Sequence, residues 1–233
     1  MVRTIHPLPF IYDETDFKSL HFQISELQSR MRISQPNGLD VDYTRTMMGF
    51  LLLNRRPEHI AMIGLGGGSL AKFCRQHLPS TRFIAVEINP HIIALREEFF
   101  IPPDDDFFQI LQADGADFVQ ATNGSLDVLL VDGFDHQGQS AQLTSLKFYE
   151  ACKSALAEGG VLTINFHESH PLYEQFIDRL DRSFDGNFVE VQVNEEGNVI
   201  VFASRDLTLS PDKLRRDIQA ASADWPAWMA ANG

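Results

Sequence analysis

Cysteine is scarce in this chain: Cys74 and Cys152 are the only two among 233 residues. Two thiols in apolar, helix-like surroundings make no disulfide framework, and they read as buried thiols of a reducing compartment. Long apolar runs are missing too, since none reaches the roughly 20 residues of a membrane span. The opening Met1-Val2-Arg3-Thr4-Ile5-His6-Pro7 has no apolar core of a signal peptide. A cytoplasmic location with no membrane partner is expected. Basic residues are few, with 19 Lys and Arg against 32 Asp and Glu and a formal charge of −13. Such a chain offers no basic face to a phosphate backbone, so no nucleic-acid partner is expected, whereas a cationic small molecule is tolerated. Internal repeats and low-complexity segments are absent. What remains, 44% hydrophobic and 22% charged, suits one α/β domain with a modest appendage.

The informative stretch runs from Glu58 to Asp135. His59-Ile60-Ala61-Met62-Ile63 is a short apolar run that breaks into Gly64-Leu65-Gly66-Gly67-Gly68-Ser69 before a helical pattern resumes at Leu70. Four glycines in five residues directly after a strand permit a tight turn and let backbone amides approach a ligand closely. A second buried strand, Thr81 to Glu87, ends in a carboxylate 19 residues after Gly68, well placed to accept both hydroxyls of a ribose. A third, Phe107 to Gln112, is closed by Ala113-Asp114-Gly115-Ala116, where Asp114 is suited to an adenine's exocyclic amine. The fourth, Leu126 to Val131, ends in Asp132-Gly133-Phe134-Asp135 and sets two carboxylates toward the same cleft.

Around this core, Ser19 to Ser25 and the stretch near Met31 alternate with period two. With Gln35-Pro36-Asn37-Gly38 as a turn, they read as a small N-terminal β-hairpin region over residues 1–45, ahead of a domain spanning 46–233. Tyr43 to Leu53 has helical spacing. Helices are expected over 70–77, 90–100, 116–121 and 144–157, the last with Glu158-Gly159-Gly160 as its C-cap turn. A fifth strand, Val161 to Phe166, a helix over 173–182 and a closing antiparallel hairpin (188–193 with 199–202) follow. Ser210-Pro211 reads as the cap and first position of a helix reaching Ala221, and Trp225 and Trp228 as cover for an apolar patch or a dimer contact. The acidic run Asp104-Asp105-Asp106 reads as a solvated turn. His167-Glu168-Ser169-His170 lacks further ligands at metal spacing, so no metal site is expected.

Taken together, Gly64-x-Gly66-x-Gly68, Glu87 after strand two and Asp114-Gly115 after strand three resemble the class I S-adenosylmethionine-dependent methyltransferase superfamily. Phe22-Gln23, Tyr43-Thr44-Arg45, Asp132-x-x-Asp135, Leu143, Phe148-Tyr149 and Gly159-Gly160-Val161-Leu162 narrow the resemblance to its spermidine synthase (polyamine aminopropyltransferase) branch. The resemblance covers residues 19–204. It implies an α/β doubly wound Rossmann-like sheet, mostly parallel, with an antiparallel terminal hairpin. It implies that Gln23, Gly64, Gly66, Gly68, Ser69, Glu87, Asp114 and Gly115 bind S-adenosylmethionine or its decarboxylated form as cosubstrate. Asp132 and Asp135, with Tyr43, become the catalytic set acting on a small-molecule amine or other acceptor, in a transferase that is a homodimer. Ser69, Thr44-Arg45 and a terminal hairpin without Tyr or Trp depart from the family's polyamine contacts, and Arg45 sets a positive charge where a polyamine would lie. That charge favours an acceptor bearing a carboxylate or phosphate, and methyl transfer or an unusual acceptor over classical polyamine synthesis.

Two other readings stay open on the residues. Gly64-x-Gly66-x-x-Ser69 followed by Glu87 loosely imitates the fingerprint of an NAD-dependent oxidoreductase. A non-catalytic nucleoside-binding homologue would keep the nucleoside residues and lose the acceptor contacts.

Overall fold

The computed structural model describes residues 6–23, 26–135, 138–193 and 197–232. Three strands, β1 (Phe10–Asp13), β2 (Phe17–Gln23) and β3 (Glu26–Arg32), form an antiparallel sheet in the order β1-β2-β3. The expected N-terminal hairpin is thus joined by a third strand, and its turn is displaced: Gln35 to Gly38 lies after β3. There Gly38 N–H donates to the Gln35 carbonyl at 2.9 Å, and the chain turns toward α1 (Asp42–Met47). A 3₁₀ segment, Met48–Leu52, continues α1.

The main sheet has seven strands: β4 (His59–Ile63), β5 (Arg82–Glu87), β6 (Phe108–Gln112), β7 (Leu126–Val131), β10 (Leu156–His167), β11 (Phe188–Gln192) and β12 (Asn198–Ser204). Their order is β11-β12-β10-β7-β4-β5-β6. β4 pairs in parallel with both β5 and β7, so the chain builds outward from β4 on one side and then restarts on the other. Ligands of open α/β sheets bind where such a reversal parts the loops, outside the carboxyl ends of the strands. Near-continuous apolar runs such as Val128–Val131 are what burial on both faces demands. The helices α2 (Ser69–His77), α3 (Pro90–Ile93), α4 (Gly115–Ala121), α5 (Leu146–Ala155) and α6 (Tyr173–Phe184) supply the cover, and β11 and β12 close one edge antiparallel. A two-residue ladder, β8 (Phe134–Asp135) with β9 (Gly138–Gln139), follows β7.

Two local expectations are revised, and two are refined. α3 stops at Ile93 instead of running to Phe100, and the chain continues in turns. Phe99 drops fully into the core, and its carbonyl accepts from Lys72 Nζ at 2.8 Å. Gly159 and Gly160 do not cap α5: the helix passes directly into β10, and the glycines sit where the β10–β7 register shifts between Leu156 and Val161. A Cβ on Gly160 would lie 2.8 Å from the Leu126 carbonyl oxygen, so the bulge admits only glycine. Ser210 occupies the cap position of α7 (Pro211–Ala221), but its side chain makes no capping hydrogen bond. Trp225, in α8 (Trp225–Asn232), is buried inside the chain and donates its indole N–H to the Arg45 carbonyl at 2.7 Å, while Trp228 packs edge-on against it. The patch that Trp225 covers therefore belongs to this chain.

Lys72 is 1% exposed, and burial lowers its ammonium to about 8 from 10.5. Between those values the unfolded chain binds more protons than the folded one, so this group makes stability rise with pH across that window. Chemical denaturation of the wild type against Lys72→Met should show the wild type gaining relative stability from pH 8 to 10.5. Parallel curves would contradict this. Both cysteines are buried free thiols, pushed up by desolvation. Among the described residues no helix is long and apolar enough to cross a membrane, and no cluster of three or more His, Cys, Asp or Glu could hold a metal.

Candidate active site

A cavity of about 770 Å³ opens at the carboxyl ends of β4, β5, β7 and β10, roofed by β2 and β3. The glycine loop forms its floor. Gly64 has φ +90°, and a Cβ there would stand 2.3 Å from the Asp132 carbonyl oxygen, so the turn that brings two strand ends together requires glycine. Gly64→Ala should lower the melting temperature, because it combines a disfavoured φ with a backbone clash costing at least about 1–3 kcal/mol. An unchanged melting temperature would mean that the loop is not held as described.

Glu87, 8% exposed, ends β5 with both carboxylate oxygens engaged. Oε2 accepts from Leu65 N–H at 2.9 Å and Oε1 from Asn89 N–H at 2.8 Å. Burial raises its carboxyl despite the backbone donors. The carboxylate is thereby locked in orientation, with lone pairs left over for ligand hydroxyls. Asp114 caps α4, its Oδ1 accepting from Ala116 N–H at 2.8 Å and Asp117 N–H at 3.3 Å, so one oxygen is committed to the helix and the other faces no such duty. Asp132, after β7, accepts from Tyr43 O–H at 3.1 Å on Oδ2 and from Asn165 Nδ2 at 2.9 Å on Oδ1. Desolvation lifts this carboxyl above its usual range, against the pull of those two bonds. Among the described residues of the wall there is no Lys or Arg; the formal charges are those of Glu87, Asp114 and Asp132.

Most of the expected site residues share this wall: Tyr43, Gly64, Gly66, Ser69, Glu87, Asp114, Gly115 and Asp132. Gln23 does not. Leu20 and Phe22 line the cavity, whereas Gln23 ends β2 beyond register shifts in the β2–β3 pairing and lies exposed, away from the wall; Gln28 of β3 sets an amide on that wall. Gly68 is also off the wall, and a Cβ on it would meet Ile101 at 2.6 Å behind the loop. The Asp135 side chain lies outside the described residues. Arg45 reverses its expected role: its guanidinium turns away from the cavity to the Leu39 and Asp40 carbonyls and the Asp42 carboxylate. Among the described residues, no Lys or Arg therefore lines the cavity. The inference of an anionic acceptor, which rested on Arg45, falls with it.

Residues 40–195 match the spermine/spermidine synthase domain. The polyamine aminopropyltransferase of Chromobacterium violaceum is 44% identical over 196 residues, covering 84% of this chain and 75% of that protein. This chain belongs to the spermine/spermidine synthase family. It is, as a member, a transferase, which replaces the oxidoreductase reading. Two solved structures share the fold. A probable spermidine synthase from Corynebacterium glutamicum has a TM-score of 0.74 at 20% identity, over 87% of this chain and 78% of that one. A spermidine synthase in complex with the transition-state analogue AdoDATO has a TM-score of 0.69 at 20% identity, over 94% and 82%.

The cavity holds further residues that sequence patterns passed over. Asn165 lies inside a strand reading, Asn89 after β5 carries no motif, and Asn198 borders the terminal turn. Single amides inside apolar runs give no periodic signal, and only the pairing register brings them to one wall. His167, at the end of β10, and His170, in the loop that follows, also line the cavity; His167 Nδ1 and Ser169 Oγ lie 2.7 Å apart.

Proposed function

We propose that this chain transfers an aminopropyl group from decarboxylated S-adenosylmethionine to a small di- or polyamine such as putrescine. The observation that carries the reading is the charge of the cavity: three carboxylates and, among its described residues, no Lys or Arg. A sulfonium and an ammonium are both stabilised there, while the amino-acid carboxylate of intact S-adenosylmethionine would meet only like charge. The proteins it resembles are named polyamine aminopropyltransferases and spermidine synthases, and one such structure holds AdoDATO.

In this reading Glu87 accepts the ribose hydroxyls, Asp114 with Gly115 meets the adenine, and the amides of the Gly64–Ser69 loop approach the donor. Asp132 takes a proton from the acceptor ammonium. The freed nitrogen pair attacks the carbon beside the sulfonium, the new C–N bond forms as the C–S bond breaks, and the C–S pair returns to sulfur as a neutral thioether. A base lifted by burial suits an ammonium better than a carboxylate of ordinary strength. Tyr43 holds Asp132 in line.

Calorimetric titration with the two donors tests this. The decarboxylated form should bind, and the carboxylated form should bind markedly more weakly. Equal or reversed preference would point to methyl transfer instead.

A further inference from the structure

We propose that Asn198, on β12, is a positioning residue that sets the orientation of Asp132 through Asn165. The inference rests on the base role of Asp132 stated above. Asn165 on β10 pairs with Ile200 on β12, and His167 pairs with Asn198. Asn198 thus stands diagonally across from Asn165 on the same face, at a separation that side chains span. Asn198 Nδ2 donates to Asn165 Oδ1 at 2.9 Å, and Asn165 Nδ2 donates to Asp132 Oδ1 at 2.9 Å. Both amides are deeply buried, at 2% and 9% exposure, so their bonds are not readily exchanged with water.

The direction of this chain follows from its charged end. An ionised carboxylate only accepts, so Asn165 must turn its NH₂ to Asp132 and its oxygen away, and the group facing that oxygen must donate. An amide reads nearly alike in either orientation, and the network decides between them. Asn198 supplies that donor in this structure and so supports the orientation favouring ionised Asp132. Without it, that orientation loses a supporting bond, and Asn165 more readily turns its oxygen to Asp132, which favours the protonated acid. The other titratable groups on the cavity wall are His6 ahead of β1, Tyr43 of α1, Glu87 of β5, Asp114 before α4, and His167 and His170 after β10. Of these, Tyr43 bonds Asp132 directly, so its donation is the background against which Asn198 is read.

The test follows the Asp132 carboxyl itself, in full-length protein labelled with ¹³Cγ-aspartate, its resonance assigned with Asp132→Asn. Two variants are compared with the wild type. Asn198→Asp is isosteric and replaces the donor with an acceptor; Asn198→Ser is neutral and too short to reach Asn165. Melting curves and nucleoside titration verify that both fold with the donor site intact. Asp132's protonation midpoint should rise in both variants, by about one pH unit in Asn198→Asp, and the acid limb of kcat should move with it while KM for the donor stays put. An unmoved midpoint in both, or a rise in Asn198→Asp alone, would overturn the proposal, the latter because added charge alone would explain it. If the midpoint moves in both while the wild type transfers no aminopropyl group, the positioning role stands and the functional reading falls.

Discussion

Asp132→Asn lowers kcat by about 10²–10⁴-fold, the contribution of a positioned general base, while the nucleoside donor still binds. The substitution keeps the shape of the side chain, and it removes the carboxylate proposed to take the ammonium proton. The neighbouring amide also loses its selection, since Asn165 can then face either a carbonyl oxygen or an NH₂. Turnover should fall on the acid side as well. Burial raises the Asp132 carboxyl, so activity is lost as pH falls through a range above that of ordinary carboxylates. Stopped assays of Asp132→Asn at saturating donor measure the first effect. A loss smaller than tenfold would move the base elsewhere in the cavity.

Glu87→Ala acts on the other substrate half. It removes the proposed ribose contact and strips partners from the amides of Leu65 and Asn89 together. Each buried amide left unpaired costs about 1–3 kcal/mol, and water entering the vacated space recovers part of that. Nucleoside affinity should weaken by about a hundredfold or more, at about 1.4 kcal/mol per tenfold, with a lower melting temperature. In the wild type, burial raises the Glu87 carboxyl. Nucleoside affinity should therefore decline as pH falls through that raised range, since a protonated carboxyl accepts less well. A Glu87→Ala protein that melts lower but binds the nucleoside normally would restrict Glu87 to holding the loop.

Strand ends were legible because each carries its own punctuation: the glycines after β4, Glu87 after β5, Asp114-Gly115 after β6 and Asp132-Gly133 after β7. These are local signals, and doubly wound folds bring strand ends to one place. The placement of Gln23 off the described wall was not legible, because a hairpin of weak pattern fixes its register only through pairing, and one residue of slip moves a side chain to the opposite face. Arg45 was misread for a related reason. Its position in the chain says where its Cα lies, whereas Asp42 and two carbonyls decide where the guanidinium goes. The turns that replace the end of the expected helix after β5 carry a bond from Lys72 to the Phe99 carbonyl, 27 residues away, which no local pattern shows. The Asn198–Asn165–Asp132 chain crosses three strands, which no spacing rule encodes.

The most direct test of the central claim is product analysis by mass spectrometry after incubation of the wild type with putrescine and decarboxylated S-adenosylmethionine. The account predicts equimolar spermidine and methylthioadenosine, abolished in Asp132→Asn. Donor bound with no new C–N bond to any di- or polyamine offered, or a methylated product from the carboxylated donor, would contradict it.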